Sequence, residues 1–313
     1  MKIIFFHPEN EARQWIHGLE QRLPTARVRA WQPADRQPAD YALVWHPPTA
    51  MLAGRDDLRG VFILGAGVDA LLNQLRQHPQ MLPAGVPLLR LEDTGMAAQM
   101  IEYVVFAVLG YYRRFDEYRL LQARQQWCEL PLADKQDFTI GVAGAGVLGQ
   151  QVAQALVTLG FPVRCWSQSP KAIPQVTSFA GEQQLADFLS GTRLLVNLLP
   201  NTPATRGILD ASLFRQLVRG AYIINVGRGA HLNQPDLLAA IDSGQIAAAT
   251  LDVCAEEPLP AADALWHSPR VTLTPHIAAA TLPVLAMDNI AENIRRIENG
   301  LPPFGKVDRV KGY

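Results

Sequence analysis

The chain has 313 residues, of which 49% are hydrophobic, and its 28 Lys and Arg nearly balance 29 Asp and Glu to give a formal net charge of −1. This length and hydrophobic content predict a globular protein of about two domains. The balanced charge argues against a basic surface for nucleic acid or for an anionic membrane, so we expect a small-molecule partner.

The N-terminal segment MKIIFFHPENEARQW predicts a first β-strand rather than a signal peptide, because it lacks a long apolar region and a cleavage site of small residues. No apolar run reaches the roughly 18 residues that a membrane helix needs. Cys128, Cys165 and Cys254 lie far apart, which argues against a disulfide framework or a structural zinc site. We therefore expect a cytoplasmic protein without a metal.

Short apolar runs that end in turn residues alternate with longer helical patterns along most of the chain, which predicts a doubly wound α/β fold. In the first part, strands are expected at KIIFF, YALVW and GVFILGAG. From Ala97 to Trp127 the apolar residues recur at helical spacing, which predicts one long helix, straight or bent. It carries more apolar surface than one domain can cover, so we expect a homodimer, although a hinge helix buried in one subunit is the alternative.

The second part begins with DFTIGVAGAGVLGQ, which predicts a strand, a glycine turn and the start of a helix, followed by strands at PVRCW, RLLVNLL, AYIINV and AAATLDV. The turn fits GxGxxG in the context that this motif requires. Gly144 permits the tight turn, Gly146 lets the backbone approach a pyrophosphate, and Gly149 allows close packing of the helix. The helix N-terminus adds N–H groups for the phosphates. We predict a dinucleotide site, the alternative being a turn that only packs a helix.

The residues after the next strand bear on the choice of cofactor. An NAD site has an acidic residue here, which hydrogen-bonds the ribose 2′-hydroxyl. This chain has no acid at that point but the polar residues Ser167, Gln168, Ser169 and Lys171. Hydroxyls, an amide and an ammonium can accommodate a 2′-phosphate that a carboxylate would repel. The segment favours NADP(H), with NADPH preferred and NADH as a second usable cofactor. The alternative is an ordinary polar turn that accepts both cofactors equally.

Three further stretches place a polar residue after a predicted strand, where ligands bind in open α/β sheets. They are NVGRGAH with Arg228, LDVCAEEPLP with Glu257 and LTPHIAAAT with His276. In this order after GAGVLG, they resemble the signature of the D-2-hydroxyacid dehydrogenase family over nearly the whole chain. More narrowly, YALVWHPP, GAGVDALL, RLEDTGM and VDRVKGY resemble its glyoxylate/hydroxypyruvate reductase A subgroup.

The resemblance implies an architecture in which a Rossmann NADP-binding domain, residues 95–283, is inserted into a flavodoxin-like substrate domain made of residues 1–94 and 284–313. It implies NADPH-dependent reduction of glyoxylate to glycolate and of hydroxypyruvate to D-glycerate. Two alternatives remain open: a nucleotide-sensing protein similar to the corepressors related to this family, and a dehydrogenase for another small 2-keto acid.

The resemblance also implies roles for single residues. His276 would be the general acid, and Glu257, rather than its neighbour Glu256, would pair with it and stabilise the imidazolium. Arg228 would hold the substrate carboxylate with two parallel hydrogen bonds. The implied cofactor contacts are Gly144, Gly146, Val147, Leu148, Gly149, Ser167, Gln168, Ser169, Lys171, Leu199, Pro200 and Asp252, the last resembling the aspartate that contacts the nicotinamide amide. Each catalytic candidate also has an ordinary structural reading, as a helix-end contact, a solvated turn or a loop histidine.

Substrate contacts in the first part are expected from the GAGVD turn, whose N–H groups at Ala66 and Gly67 can capture an anion. Trp45 follows a strand and could cap a small pocket, although a tryptophan in such a place is as often part of the core. One residue departs from the subgroup, which often has an arginine after the second strand where this chain has Gln168. We expect this difference to weaken NADPH selectivity without removing it.

Overall fold

The protein is described by a computed structural model that covers residues 1–9 and 12–313. These residues form two compact units, one made of residues 1–96 and 281–313 and the other of residues 97–280. The assignment of residues 1–94 with 284–313 to the substrate and of residues 95–283 to the cofactor stays a prediction.

The strands in chain order are β1 (Lys2–Phe6), β2 (Arg27–Ala30), β3 (Tyr41–Val44), β4 (Gly60–Ile63), β5 (Leu88–Arg90), β6 (Ile140–Ala143), β7 (Val163–Ser167), β8 (Thr177–Ala180), β9 (Leu194–Asn197), β10 (Ala221–Asn225), β11 (Ile246–Leu251) and β12 (Val271–Leu273). The α-helices are α1 (Ala12–Arg22), α2 (Thr49–Leu52), α3 (Asp69–Gln77), α4 (Met96–Tyr112), α5 (Phe115–Ala123), α6 (Val147–Thr158), α7 (Leu185–Leu189), α8 (Ala211–Gln216), α9 (Gln234–Asp242) and α10 (Pro283–Glu298).

The first unit contains a parallel sheet in the order β2-β1-β3-β4-β5, which is the flavodoxin-like winding. Its central strands β3 and β4 are buried along their whole length, as strands covered on both faces by helices must be. The C-terminal helix α10 packs on α1, since a Cβ on Gly18 would lie 2.5 Å from the sulfur of Met287. Arg22 pairs with Asp288 at 2.6 Å along the same contact.

The second unit contains a parallel sheet in the order β12-β11-β10-β9-β6-β7-β8. Counted from β6, this is the Rossmann order with one additional strand at the edge. The predicted fold class, two doubly wound parallel-sheet domains, is therefore confirmed. The order reverses between β6 and β9, and the crevice at the carboxyl ends of these two strands is where such sheets bind ligands.

The segment predicted as one helix from Ala97 to Trp127 differs in the structure. It forms two helices, α4 and α5, and the second ends at Ala123. The break lies at Arg114, whose backbone is left-handed with φ of 61°. Its guanidinium binds both carboxylate oxygens of Glu117 at 2.7 and 2.9 Å and the carbonyl of Pro131 at 3.1 Å. These bonds hold a turn that periodicity alone does not reveal, since the apolar spacing continues across it.

The two ends of the second unit are joined to each other by a side chain. The Gln99 side-chain amide donates to the carbonyl of Ala280 at 3.0 Å, and its carbonyl oxygen accepts from the Ala280 N–H at 3.1 Å. The first turns of α4 therefore lie beside the last residues of this unit. Among the described residues, no helix has both the length and the apolar character needed to cross a membrane.

Candidate active site

The glycine turn between β6 and α6 has the geometry that a pyrophosphate requires. Gly144 has φ of 106°, and a Cβ there would lie 2.5 Å from the carbonyl oxygen of Leu198. A Cβ on Gly149 would overlap the carbonyl oxygen of Gly144, so only glycine lets the helix pack this closely. A Cβ on Gly146 would instead meet no atom within 4 Å. The turn therefore fits a dinucleotide, because its open side lies at the N-terminus of α6.

The other predicted cofactor residues of this crevice lie around the same turn. In the first turn of α6, Val147 is exposed and Leu148 half-buried. Across the crevice, the N–H of Leu198 donates to the carbonyl of Ala143 at 2.7 Å. Leu199 and Pro200 follow directly, the former buried and the latter half-buried. The loops after β6 and β9 are thus fixed side by side at the switch point of the sheet.

Ser167 is the last residue of β7, the strand next to β6. The N–H of Gly144 donates to the carbonyl of Trp166 at 2.8 Å, which fixes this strand end beside the glycine turn. The Ser167 hydroxyl donates to the carbonyl of Ser169 at 2.8 Å, so its proton is used within the turn. Gln168, Ser169 and Lys171 are exposed. Their polar groups can meet a phosphate arriving from solvent.

His276 and Glu257 form a hydrogen-bonded pair, with Nδ1 of the ring 2.8 Å from Oε2 of the carboxylate. The other carboxylate oxygen accepts from the N–H of Cys254 at 2.9 Å, which fixes the orientation of Glu257. The side chains are 46% and 40% exposed, respectively. Because Nδ1 faces the carboxylate, Nε2 is the ring nitrogen that can reach a ligand in solvent.

Asp252 follows β11 and is 2% exposed. One carboxylate oxygen accepts from the Thr274 hydroxyl at 2.7 Å and the Ile277 N–H at 2.8 Å. The other accepts from the Ala278 N–H at 2.8 Å. The structure therefore binds Asp252 to the loop that carries His276, and its contact with a nicotinamide amide stays a prediction.

Arg228 lies on a loop held by a buried polar network that the sequence pattern did not indicate. Asn197 and Asn225 are the last residues of β9 and β10, and the Nδ2 of Asn197 donates to the Oδ1 of Asn225 at 2.8 Å. Both asparagines and His231 are fully buried. The carbonyl of Arg228 accepts from the Asn225 amide at 3.1 Å. Polar residues at the carboxyl ends of two buried strands were the one available signal, since a buried amide needs partners.

His231 links this network to the loop after β9. Its Nδ1 lies 3.2 Å from the N–H of Arg228 and 2.8 Å from Nδ2 of Asn197, and its Nε2 lies 3.2 Å from the carbonyl of Pro200. Two donors converge on Nδ1 and a carbonyl faces Nε2, which selects the neutral tautomer protonated at Nε2. His231 thus connects the predicted substrate-binding loop to the predicted cofactor loop.

The Arg228 loop and the Glu257 loop are in backbone contact. A Cβ on Gly229 would overlap the carbonyl group of Cys254, so no other residue fits without moving one loop. Cys254 is the residue whose N–H binds Glu257. The structure therefore brings the loops that carry Arg228 and Glu257 into contact, and Glu257 pairs with His276, at the carboxyl edge of this sheet.

The remaining predicted residues lie in the first unit. Trp45 follows β3 and is half-buried, and Ala66 and Gly67 form the half-buried turn between β4 and α3. The Trp45 ring lies parallel to that of His7, with centroids 6.3 Å apart and an interplanar angle of 13°. Burial is the main cause that lowers the pKa of His7. His7 and Trp45 follow β1 and β3, between which this sheet reverses its order, and the sequence pattern did not indicate His7 as a site residue.

A sheet of this winding with a glycine turn at its switch point is the fold of dinucleotide-dependent oxidoreductases. The NAD binding domain of the D-isomer specific 2-hydroxyacid dehydrogenases matches residues 105–278. The chain belongs to this family. It is 61% identical over 313 residues to glyoxylate/hydroxypyruvate reductase A of Yersinia enterocolitica and 62% identical over 313 residues to that of Serratia proteamaculans, covering 100% of both relatives and of this chain in each case.

Solved structures agree with this family. A D-isomer specific 2-hydroxyacid dehydrogenase from Xanthobacter autotrophicus Py2, in complex with NADPH and MES, is 38% identical with a TM-score of 0.93, over 100% of this chain and 99% of that one. An NADPH-dependent glyoxylate/hydroxypyruvate reductase from Sinorhizobium meliloti, in complex with NADP and sulfate, is 35% identical with a TM-score of 0.89 and the same coverage.

Proposed function

We propose that this chain is an NADP-dependent 2-hydroxyacid dehydrogenase that reduces glyoxylate to glycolate and hydroxypyruvate to D-glycerate, with NADPH preferred over NADH. The relatives named for this reaction support the substrate, and the neighbours that hold NADPH or NADP support the cofactor. The observation that carries the proposal is the His276–Glu257 pair at the same sheet edge as Arg228 and the glycine turn.

When bound, NADPH supplies the hydride that reduces the carbonyl carbon of the substrate. Arg228 binds the substrate carboxylate through its planar guanidinium, which suits a bidentate contact. Nε2 of His276 gives its proton to the carbonyl oxygen, on which negative charge develops. Glu257 stabilises the imidazolium from the Nδ1 side and fixes the ring. Trp45 and the N–H groups of Ala66 and Gly67 are the substrate contacts that we propose within the first unit.

A spectrophotometric assay tests this function directly. The purified chain is mixed with NADPH or NADH and with glyoxylate, hydroxypyruvate, pyruvate or 2-ketobutyrate, and loss of absorbance at the reduced nicotinamide band is followed. We expect the highest kcat/KM with glyoxylate or hydroxypyruvate and NADPH. Preference for another keto acid would assign a different dehydrogenase. Cofactor binding without turnover on any keto acid would support a nucleotide-sensing protein instead.

We further propose a homodimer that uses the surface of α4 and α5, in the reducing cytoplasm. Phe106 and Leu109 lie one turn apart on α4, with Phe106 74% exposed, and Phe115 on α5 is 56% exposed. Exposed apolar side chains on neighbouring helices favour a self-complementary interface. The three cysteines are free, which suits a reducing compartment; recovery of the protein from an oxidising compartment of its cell would contradict that location.

Light scattering at micromolar concentration is expected to give the mass of two chains. Phe106→Glu, which places a charge in the apolar face, is expected to give the mass of one chain. Thr177→Glu, at the exposed first residue of edge strand β8, is the control that adds the same charge and is expected to keep the dimer. A monomeric wild-type protein would rule out this assembly.

A further inference from the structure

The loop that carries His276 has a backbone that needs external support. His276 has φ of 57°, in the left-handed region that residues other than glycine adopt uncommonly. Its N–H donates to the carbonyl of Asp252 at 2.8 Å, and the next two N–H groups, of Ile277 and Ala278, donate to the Asp252 carboxylate. Asp252 therefore fixes the backbone from which the imidazole extends.

The Asp252 carboxylate is itself held by a chain of two hydroxyls. Thr274 Oγ1 lies 2.7 Å from its Oδ1, and the phenol oxygen of Tyr103 lies 2.5 Å from Thr274 Oγ1. A carboxylate only accepts hydrogen bonds, so Thr274 donates to Asp252 and accepts from Tyr103. Burial raises the pKa of Tyr103 to about 12, so the phenol keeps the proton that it donates at neutral pH.

We propose that Tyr103 and Thr274 are positioning residues, which orient Asp252 and through it the His276 loop for proton transfer to the substrate. The inference rests on the proposed function, in which His276 on this loop is the proton donor. Tyr103 lies on α4, far from Asp252 in sequence, and reaches the carboxyl edge of the sheet only because this helix packs there. Neither hydroxyl needs to touch the substrate.

The same helix contains a matched control. Tyr111 lies eight residues after Tyr103, and its hydroxyl lies 2.7 Å from Oγ1 of Thr250 on β11. This is also a pair of tyrosine and threonine hydroxyls, and Tyr111 is more deeply buried than Tyr103. However, its partner Thr250 lies within β11 and does not bind the Asp252 carboxylate that holds the His276 loop. Loss of the Tyr111 hydroxyl therefore measures what a structural hydrogen bond of this kind contributes.

The test compares Tyr103→Phe, Thr274→Val, Thr274→Ser and Tyr111→Phe in the full chain. We expect Tyr103→Phe and Thr274→Val to lower kcat by roughly 10- to 100-fold, since a small displacement of a catalytic group has effects of this size. Thr274→Ser, which keeps the hydroxyl, is expected to restore kcat. Tyr111→Phe is expected to keep kcat near that of the wild type even if its Tm falls. Equal kcat for Tyr103→Phe and Tyr111→Phe would overturn the inference.

A double variant separates positioning from general stability. In a His276→Asn background there is no imidazole to place, so adding Tyr103→Phe is expected to cause no further loss of kcat. A further loss equal to that in the wild-type background would show that Tyr103 does not act through His276. If His276→Asn alone turned over normally, the proton-donor role of His276 would fail and this inference with it, whereas the proposed function itself fails only if the wild-type chain reduces neither keto acid. If His276→Asn were inactive while Tyr103→Phe kept the wild-type kcat, this inference would be wrong but the proposed function would stand.

Discussion

Replacing His276 with alanine is expected to lower kcat for glyoxylate or hydroxypyruvate by about two to four orders of magnitude, the usual contribution of a positioned general acid. The reason is that Nε2 of His276 is the proton source assigned to the carbonyl oxygen. Affinity for NADPH is expected to change little, because the loop is held through its backbone by Asp252. The measurements are steady-state kinetics for both keto acids and fluorescence titration with NADPH.

Alanine is a poor residue for the left-handed backbone at this position, so a second variant is needed. Asn adopts this conformation more readily than other residues with a Cβ, and His276→Asn therefore removes the imidazole with less strain. His267→Ala is the matched control, since His267 is an exposed histidine of the same unit. If His276→Asn kept turnover close to that of His267→Ala, the proton would have to come from another group.

Changing Ser167 to aspartate is expected to lower the ratio of kcat/KM for NADPH to that for NADH by about 30-fold or more. The new carboxylate would lie at the end of β7 beside the glycine turn, where it can accept hydrogen bonds from the ribose hydroxyls of NADH. The same charge would repel a 2′-phosphate, and like-charge contacts cost several kcal/mol. The ratio is obtained from kcat/KM with each cofactor at saturating keto acid.

Two further variants make this measurement specific. Gln168→Arg is expected to shift the ratio toward NADPH, because it adds a forked donor for the phosphate. Thr177→Asp is the control, since it adds the same charge at the other end of the neighbouring strand β8, where Thr177 pairs with Arg164. An unchanged ratio in Ser167→Asp would mean that this turn does not face the 2′ position of the ribose.

The fold was predictable because its central strands are continuous apolar runs. The strands β1, β3, β4, β6, β7, β9, β10 and β11 all lie within or next to the predicted segments. The pattern did not delimit β2, β5, β8 and β12, and each of these lies at an edge of its sheet. Edge strands are short and partly solvated, as in RVRA and TSFA, so their composition does not separate them from loops.

The sequence indicated candidate site residues where a local motif carries the expected chemistry, and not where the fold brings distant residues together. The segments around Gly144, Glu257 and His276 each follow a strand and contain their own signal. Asn197, Asn225 and His231 meet only because β9 and β10 are neighbours in the sheet. No pattern within NLLPN or INVGRGAH indicates that β9 and β10 are neighbours in the sheet. Tyr103 was missed for the same reason, since its partners lie on loops far away in sequence.

The two hydrogen bonds between Gln99 and Ala280 have a consequence for how this chain can be engineered. Residues 97–280 are an inserted segment whose first and last residues lie side by side. A segment whose ends meet can be closed by a short linker, opened elsewhere as a circular permutant, or transplanted into another host loop. The dinucleotide fold of this chain can therefore be exchanged as a unit, and only the two adjacent junctions, at residues 96–97 and 280–281, have to be rebuilt.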